Sequence, residues 1–343
     1  MIKVQNIYYM LAYAYQVLNT HSYENLAVEE FQYASDLFAA ILAKGTANQL
    51  KRGLGREYIS VFESLSSPVG KINVTESIKR QTMLRRKLVC DYDNYSENEY
   101  LNKVLKTTVI LLIKTPEVKP KQKQLLRKLL FYFDNVDEID PYSIKWNLIK
   151  YHRNNATYKM LINICYLVIE GMLLSEKEGK KRLAKFLDDQ KMHRLYEKFV
   201  IEFYRKHYPK YNASSMHIDW NIDNEFTDFL PMMKTDITLK YQGKTLIIDT
   251  KYYAHTMQSN EFYKSRTIHS NNLYQIYSYV KNYDVNNTGL VSGLLLYAGT
   301  NEDIVPNFDY LMGGNKISAK TLDLNADFSF IIKQLDNLII QYF

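Results

Sequence analysis

Three residues, Asp236, Asp249 and Lys251, have the types and spacing of a metal-assisted phosphoryl-transfer site. They lie in the segment TDITLKYQGKTLIIDTKYY, residues 235–253. Two runs of strand-forming residues flank Gln242–Gly243, so a two-residue hairpin turn is expected there, pairing Tyr241 with Lys244. Counting back along both strands brings Asp236 opposite Asp249. Facing side chains in such a pair stand about 5 Å apart at Cβ. Two carboxylates that close repel each other unless a cation or a proton intervenes. Mg²⁺ takes oxygens from one or two carboxylates and completes its shell with water and phosphate oxygens. Lys251, two residues past Asp249, shares its face by strand alternation. A cation held there would lower the pKa of a bound water and polarise a phosphoryl oxygen. The lysine would orient that water or offset the developing negative charge. The plain alternative is a surface hairpin with scattered charges. Against it, Leu246–Ile248 reads as a buried strand, and an aspartate ending such a strand needs a partner.

Other candidates flank this hairpin. Glu197 sits on an amphipathic segment whose Leu195, Phe199 and Phe203 face inward, and either reaches the acids or is an ordinary solvated residue. Gln275 and Tyr279 are four apart and share a helical face. They form either the polar rim of an amphipathic helix or a pair beside the metal and DNA. His269 precedes that helix, where it caps the helix or touches phosphate. Tyr252, Tyr253, Lys264 and Arg266 interleave aromatic and basic groups, which suits a nucleic-acid backbone or a solvated face equally.

These residues need a frame. Apolar residues at helical spacing predict helices over 5–18 and 29–45, the second ended by Gly45. Lys51–Arg56, KRGLGR, reads as an exposed basic turn. Tyr58–Phe62, Gly70–Val74 and Lys87–Cys90 read as strands. Ser96 is placed to cap a helix running through Ile113. Helices follow at about 121–134, 155–174 and 190–207. Beyond Pro209 the pattern changes to strands at 216–221, 234–241, 244–252 and 290–297, with a helix at 271–282 before the last. That order predicts an α/β domain from about residue 190 onward. The break falls in the charged stretch Glu176–Arg182, giving domains 1–185 and 186–343.

Length and composition agree with a globular pair of domains. The chain has 343 residues, of which 46% are hydrophobic and 24% charged, enough for a sizeable core. The formal net charge of +7 is compatible with a polyanionic partner and does not require one. The two cysteines, Cys90 and Cys165, lack the spacing of a zinc site or a disulfide framework, which fits a reducing cytoplasm. The longest apolar stretch, Met160–Leu174, is interrupted by Asn163 and Glu170, and no membrane span is expected.

Several of these segments, in order, resemble one family. MKTDITL (233–239), LIIDTKYY (246–253) and HSNNLYQ (269–275) are similar to the nuclease domain of the McrC family. So are VQNIYYMLAYAY (4–15), GKINVTESIKR (70–80), the stretch around Asn98–Lys106, and LYEKFVIEFYRK (195–206). The resemblance implies an α+β chain: an N-terminal mixed helix and strand domain that docks on a partner, then a PD-(D/E)xK α/β nuclease domain with a mixed central sheet. It implies that Asp236 and Asp249 are the two acids, that Lys251 is the lysine, and that Thr235 stands where the motif has proline. Gln275 and Tyr279 resemble the QxxxY element of related nucleases. Asp236, Asp249 and Thr250 are the implied Mg²⁺-binding positions, with Glu197 a further catalytic candidate. The implied function is Mg²⁺-dependent cleavage of double-stranded DNA carrying 5-methylcytosine. The implied partner is an McrB-like AAA+ GTPase hexamer, whose GTP hydrolysis the N-terminal half would stimulate. No GxxxxGK[ST] segment occurs, so nucleotide chemistry is expected on another chain. A stand-alone repair nuclease of the same fold and a non-catalytic GTPase-activating adaptor are the competing expectations.

Overall fold

The computed structural model describes the chain except residues 1, 16–17, 19–22, 24–25, 27–28, 152–155, 178–188, 225, 254–255, 261–264 and 300–304. The chain divides into two compact units, Ser35–Phe186 and a second made of Met1–Ala34 with Leu187–Phe343. The expected domains, 1–185 and 186–343, differ from these in the first thirty-four residues. The expected break at Glu176–Arg182 lies from residue 178 onward outside the described residues. The first helix, α1 (Val4–Ala14), explains the difference. Asn6 Nδ2 donates to the Leu324 and Ala326 carbonyls at 2.7 and 2.9 Å. Tyr9 stacks on Phe328 with ring centroids 4.3 Å apart.

The unit Ser35–Phe186 is helical with one small sheet. Its first helix, α2 (Ala34–Leu50), runs through Gly45 rather than stopping there. A glycine inside a helix costs about 1 kcal/mol, and the buried run Leu37–Ala43 offsets it. Lys51–Arg56 forms the expected turn and loop, with Lys51 and Arg52 exposed. Strands β1 (Glu57–Leu65), β2 (Lys71–Ile72) and β3 (Leu88–Ser96) form an antiparallel sheet ordered β1-β3-β2. The expected strand at Gly70–Val74 is cut short. Asn73 Oδ1 accepts the Glu76 amide at 3.0 Å and starts helix α3 (Val74–Lys79) instead. Ser96 ends β3, paired with Glu57, and does not cap the next helix. Glu99 holds that place for α4 (Tyr100–Lys114). Helices α5 (Pro120–Leu130) and α6 (Ala156–Lys177) follow, close to expectation. Tyr158 and Asn102 join α6 to α4 through a 2.6 Å hydrogen bond. Asn102 Nδ2 also donates to the Gly55 carbonyl at 2.9 Å, which anchors the basic loop. Both cysteines are buried thiols, and burial pushes Cys165 up to about 12.

The other unit is built on a mixed five-stranded sheet. Helix α7 (Asp189–His207) buries Met192, Leu195, Tyr196, Phe199, Val200, Phe203 and Tyr204, one stripe at helical spacing. Arg205, Lys206 and His207 fill its last turn, where positive charge suits the helix dipole. The strands are β4 (His217–Ile218), β5 (Met233–Lys234), β6 (Ile237–Tyr241) and β7 (Lys244–Lys251), then a short hairpin of β8 (Gln258–Asn260) and β9 (Ser265–Thr267). Helix α8 (Ser270–Tyr283) leads to β10 (Val291–Ala298), followed by β11 (Phe308–Met312), β12 (Asn315–Leu322) and helix α9 (Phe328–Tyr342). The main sheet has the order β11-β12-β10-β7-β6. Strand β10 runs parallel to both β7 and β12, while the outer pairs are antiparallel. A parallel pair needs a crossover, and α8 supplies it between β7 and β10. A Cβ on Gly293 of β10 would lie 2.8 Å from Ile276 and Val280 of α8, so the helix sits tight on the sheet. Among the described residues no helix is long and apolar enough to cross a membrane.

Candidate active site

The hairpin turn is the one the sequence demands. Gln242 and Gly243 have φ of +47° and +80°, two left-handed residues in a row, and Tyr241 pairs with Lys244. The register continues through Leu239↔Leu246 to Ile237↔Ile248. Asp236 lies one residue beyond that last pair, and Asp249 one beyond it on the other strand. The single strand expected over 234–241 is interrupted here, at Thr235–Asp236. Thr235 turns its hydroxyl to Thr238 Oγ1 at 2.9 Å. Asp236 Oδ2 accepts both the amide and the hydroxyl of Thr250, each at 2.7 Å. A side-chain carboxylate thus replaces the main-chain carbonyl that a longer β6 would have offered to β7.

Asp249 and Lys251 point to one face, and Lys251 Nζ stands 2.7 Å from Asp249 Oδ2. Both are buried, Asp249 almost completely at 1% exposure. Burial, reinforced by the charge of Asp236, pushes the Asp249 carboxyl up to about 6 against the pull of Lys251. Burial alone would lower the Lys251 ammonium. The Asp249 carboxylate reverses this and holds it above its usual range. The lysine also donates to Gln275 Oε1 at 3.1 Å, and Gln275 Nε2 donates to Tyr279 OH at 2.9 Å. Residues four apart on α8 therefore extend a polar chain from the acids along the helix.

Glu197, on α7, is electrostatically coupled to both acids. Burial raises its carboxyl pKa, and the charges of Asp236 and Asp249 push the same way, while His193 opposes them. His193, one turn earlier, was not singled out from the sequence. Its Nε2 lies 2.6 Å from the Thr250 carbonyl. Only its spacing of four from Glu197, on the same helix face, marked it. His269 occupies the N-cap position of α8, but its side chain makes no capping hydrogen bond. Its ring lies 5.2 Å from that of Tyr253. Tyr253 OH donates to Asn272 Oδ1 at 3.2 Å. Tyr252 is half-buried, Arg266 is exposed on β9, and Lys264 lies outside the described residues.

Carboxylate and carbonyl oxygens are the donors that a hard cation takes. Among the described residues, no three carboxylate, imidazole or thiol side chains gather into a ready-made metal cage. Mg²⁺ does not need one, since one or two carboxylates with waters suffice. Asp249 Oδ2 is buried, and the charge it faces is the Lys251 ammonium at 2.7 Å. Lys251 offsets that buried charge, and the carboxylate keeps further lone pairs that a hard cation could share. Asp236, Asp249 and the Thr250 carbonyl are the oxygens that could hold such an ion.

The chain's relatives bear on the same question. Residues 3–298 match the family model described as McrBC 5-methylcytosine restriction system component. The type IV methyl-directed restriction enzyme EcoKMcrBC of Escherichia coli (strain K12) is 27% identical over 345 residues, covering 99% of this chain and 98% of that protein. A solved half-complex from a tetradecameric assembly of Thermococcus gammatolerans McrB AAA+ hexamers with bound McrC is similar in fold. The TM-score is 0.50 at 16% identity, over 98% of this chain and 76% of that one. With the family model matching most of its length, the chain belongs to the McrBC 5-methylcytosine restriction system component family.

Proposed function

We propose that this chain is the endonuclease subunit of a GTP-dependent, 5-methylcytosine-directed restriction system. It would hydrolyse DNA phosphodiesters with Mg²⁺ in a PD-(D/E)xK site. The observation that carries this reading is the buried Asp249–Lys251 pair at the end of the hairpin, with Asp236 bonded to the residue between them. Asp236, Asp249 and the Thr250 carbonyl would hold the cation, which supplies a polarised phosphoryl oxygen and a water of lowered pKa. Lys251 would orient the attacking water and offset the charge that develops on the phosphoryl oxygens. Gln275 accepts from Lys251 beside its pair with Asp249, and Tyr279 accepts from Gln275, so the ammonium is held near the acids. Glu197 adds a third carboxylate within electrostatic reach of both. A non-catalytic adaptor would have no use for a buried acid–lysine pair, which is expensive to desolvate.

A McrB-like AAA+ GTPase is the proposed partner, and the unit Ser35–Phe186 is the proposed docking and stimulating part. In support, its sheet carries exposed rings at Tyr58 and Tyr95, which face each other across β1 and β3, and the helical segments between β2 and β3 expose Ile78 and Leu84. Contiguous exposed apolar groups are the mark of a surface that meets another protein. The test is cleavage of 5-methylcytosine-containing plasmid with Mg²⁺ and GTP, with and without the cognate GTPase. Cleavage only in its presence supports the restriction subunit. GTP-independent cleavage by the chain alone points to a stand-alone nuclease. GTPase stimulation without any cleavage points to the adaptor.

A further inference from the structure

We propose that His193 is a positioning residue for this site, acting through the Thr250 carbonyl; the proposal rests on the nuclease reading above. Alternate residues of a strand direct their main-chain groups to opposite neighbours. The Thr245 amide of β7 bonds to the Leu290 carbonyl, toward β10. Five residues on, Thr250 directs its groups the other way, toward β6. Strand β6 has already ended at Ile237, whose partner is Ile248. The Thr250 amide and carbonyl thus lie at an edge with no strand beside them, and Thr250 is fully buried. Unpaired main-chain groups in that setting are costly. Two side chains take them. Asp236 Oδ2 takes the amide at 2.7 Å, and His193 Nε2 takes the carbonyl at 2.6 Å.

This edge is also where the chemistry sits. The carbonyl of Thr250 belongs to the peptide that carries Lys251. The amide of Thr250 belongs to the peptide that carries Asp249. Asp236 and His193 therefore clamp the two peptide planes from which the acid and the lysine project. A carbonyl only accepts, so the hydrogen bond requires the proton on Nε2. A carbonyl oxygen has two lone pairs, and the imidazole leaves one for a cation. Lattice-like fixation of this kind around a metal ligand is worth about 10–100-fold in metal affinity or activity. His193 brings helix α7 onto the strand at this carbonyl, and Glu197 follows one turn later on the same face.

The test compares His193→Leu, which removes the donor at similar volume, with His193→Gln, whose amide N–H can reach the same carbonyl. Full-length protein is titrated with Mn²⁺ by calorimetry, and cleavage is measured with the GTPase partner over a range of Mg²⁺. The expected result is a loss of about 10–100-fold in Mn²⁺ affinity for His193→Leu, with a matching rise in the Mg²⁺ needed for cleavage. His193→Gln should recover most of both. A purely structural hydrogen bond would lower the thermal midpoint of His193→Leu and leave the Mn²⁺ affinity of the folded protein unchanged, which overturns the proposal. Nitrogen-15 NMR of the histidine side chains decides independently of any variant. The His193 resonances should report a proton on Nε2 and move when Mg²⁺ is added; an unprotonated Nε2 overturns the proposal. Loss of Mn²⁺ binding in wild type itself, or full cleavage by Asp249→Ala, would instead overturn the nuclease reading beneath it.

Discussion

At the scale of single residues, the site is a set of charges whose burial is tolerated only together. Asp249 and Lys251 neutralise each other, Gln275 holds the lysine, and Asp236 is held by Thr250. Lys251→Ala should lower cleavage by about 10²–10³-fold, the typical loss on removing one group that stabilises transition-state charge. Stimulation of the partner's GTP hydrolysis should survive, and a parallel GTPase assay checks this. Tyr279→Phe removes only the outer end of the polar chain and should cost much less than Gln275→Ala in the same assay. The hairpin that carries these residues was legible in the sequence. The turn at Gln242–Gly243 and the two-residue period of the strands predict Asp236 opposite Asp249, whereas the ladder ends at Ile237↔Ile248 and Asp236 turns to Thr250. His193 was not legible, because a histidine on an amphipathic helix carries no mark of the carbonyl it will meet 57 residues later.

At the scale of elements, the site depends on how tightly α8 rests on the sheet. Gly293→Ala would place a Cβ 2.8 Å from Ile276 and Val280, one turn or less from Gln275 and Tyr279. The expected result is a loss of about 1–3 kcal/mol in denaturant unfolding, the usual cost of overpacking. Cleavage should fall as well, since the helix that aims Gln275 is displaced. The far end of α8 has its own anchor. Asp284 accepts the Thr288 and Gly289 amides at 2.8 and 2.9 Å, the Thr288 hydroxyl at 2.7 Å and Asn315 Nδ2 at 2.6 Å. Burial alone would raise its pKa, but the donors from Asn315, Thr288 and Gly289 win and pull it down to about 2. A carboxyl depressed from 3.8 to about 2 stabilises the fold above pH 4, and that stability is lost as pH falls through 2. Thermal midpoints measured from pH 5 to pH 2 should show this decline in the wild type and a flatter profile, lower at pH 5, in Asp284→Ala. Elements with strong periodicity, such as α6 and α7, were legible to within two or three residues. Gly45 misled because helix packing outweighs the small propensity of one residue. Ser96 misled because a nine-residue ladder with β1 holds it in a strand.

At the scale of the whole molecule, the first helix belongs with the last. Asn6 bonds to carbonyls more than 300 residues away, and Lys3 pairs with Asp327 at 2.7 Å. Local pattern carries no trace of such a contact, so the sequence boundary at 185 kept α1 with its neighbours in the chain. A fragment beginning at residue 187 should therefore expose the apolar surface that Ile7, Met10 and Leu11 bury. It should bind a hydrophobic dye and unfold at lower temperature than the same fragment supplied with residues 1–34 in trans. The mixed α+β character and the sheet at the C-terminal half were readable from the strand and helix order, whereas the closing β11–β12 hairpin and α9 were not anticipated. The most direct measurement of the central claim uses full-length protein, the cognate GTPase, GTP, Mg²⁺ and a 5-methylcytosine-containing plasmid. The account predicts that wild type cuts the plasmid and that Asp249→Ala leaves it intact while still stimulating GTP hydrolysis. Cutting by Asp249→Ala at the wild-type rate would contradict it.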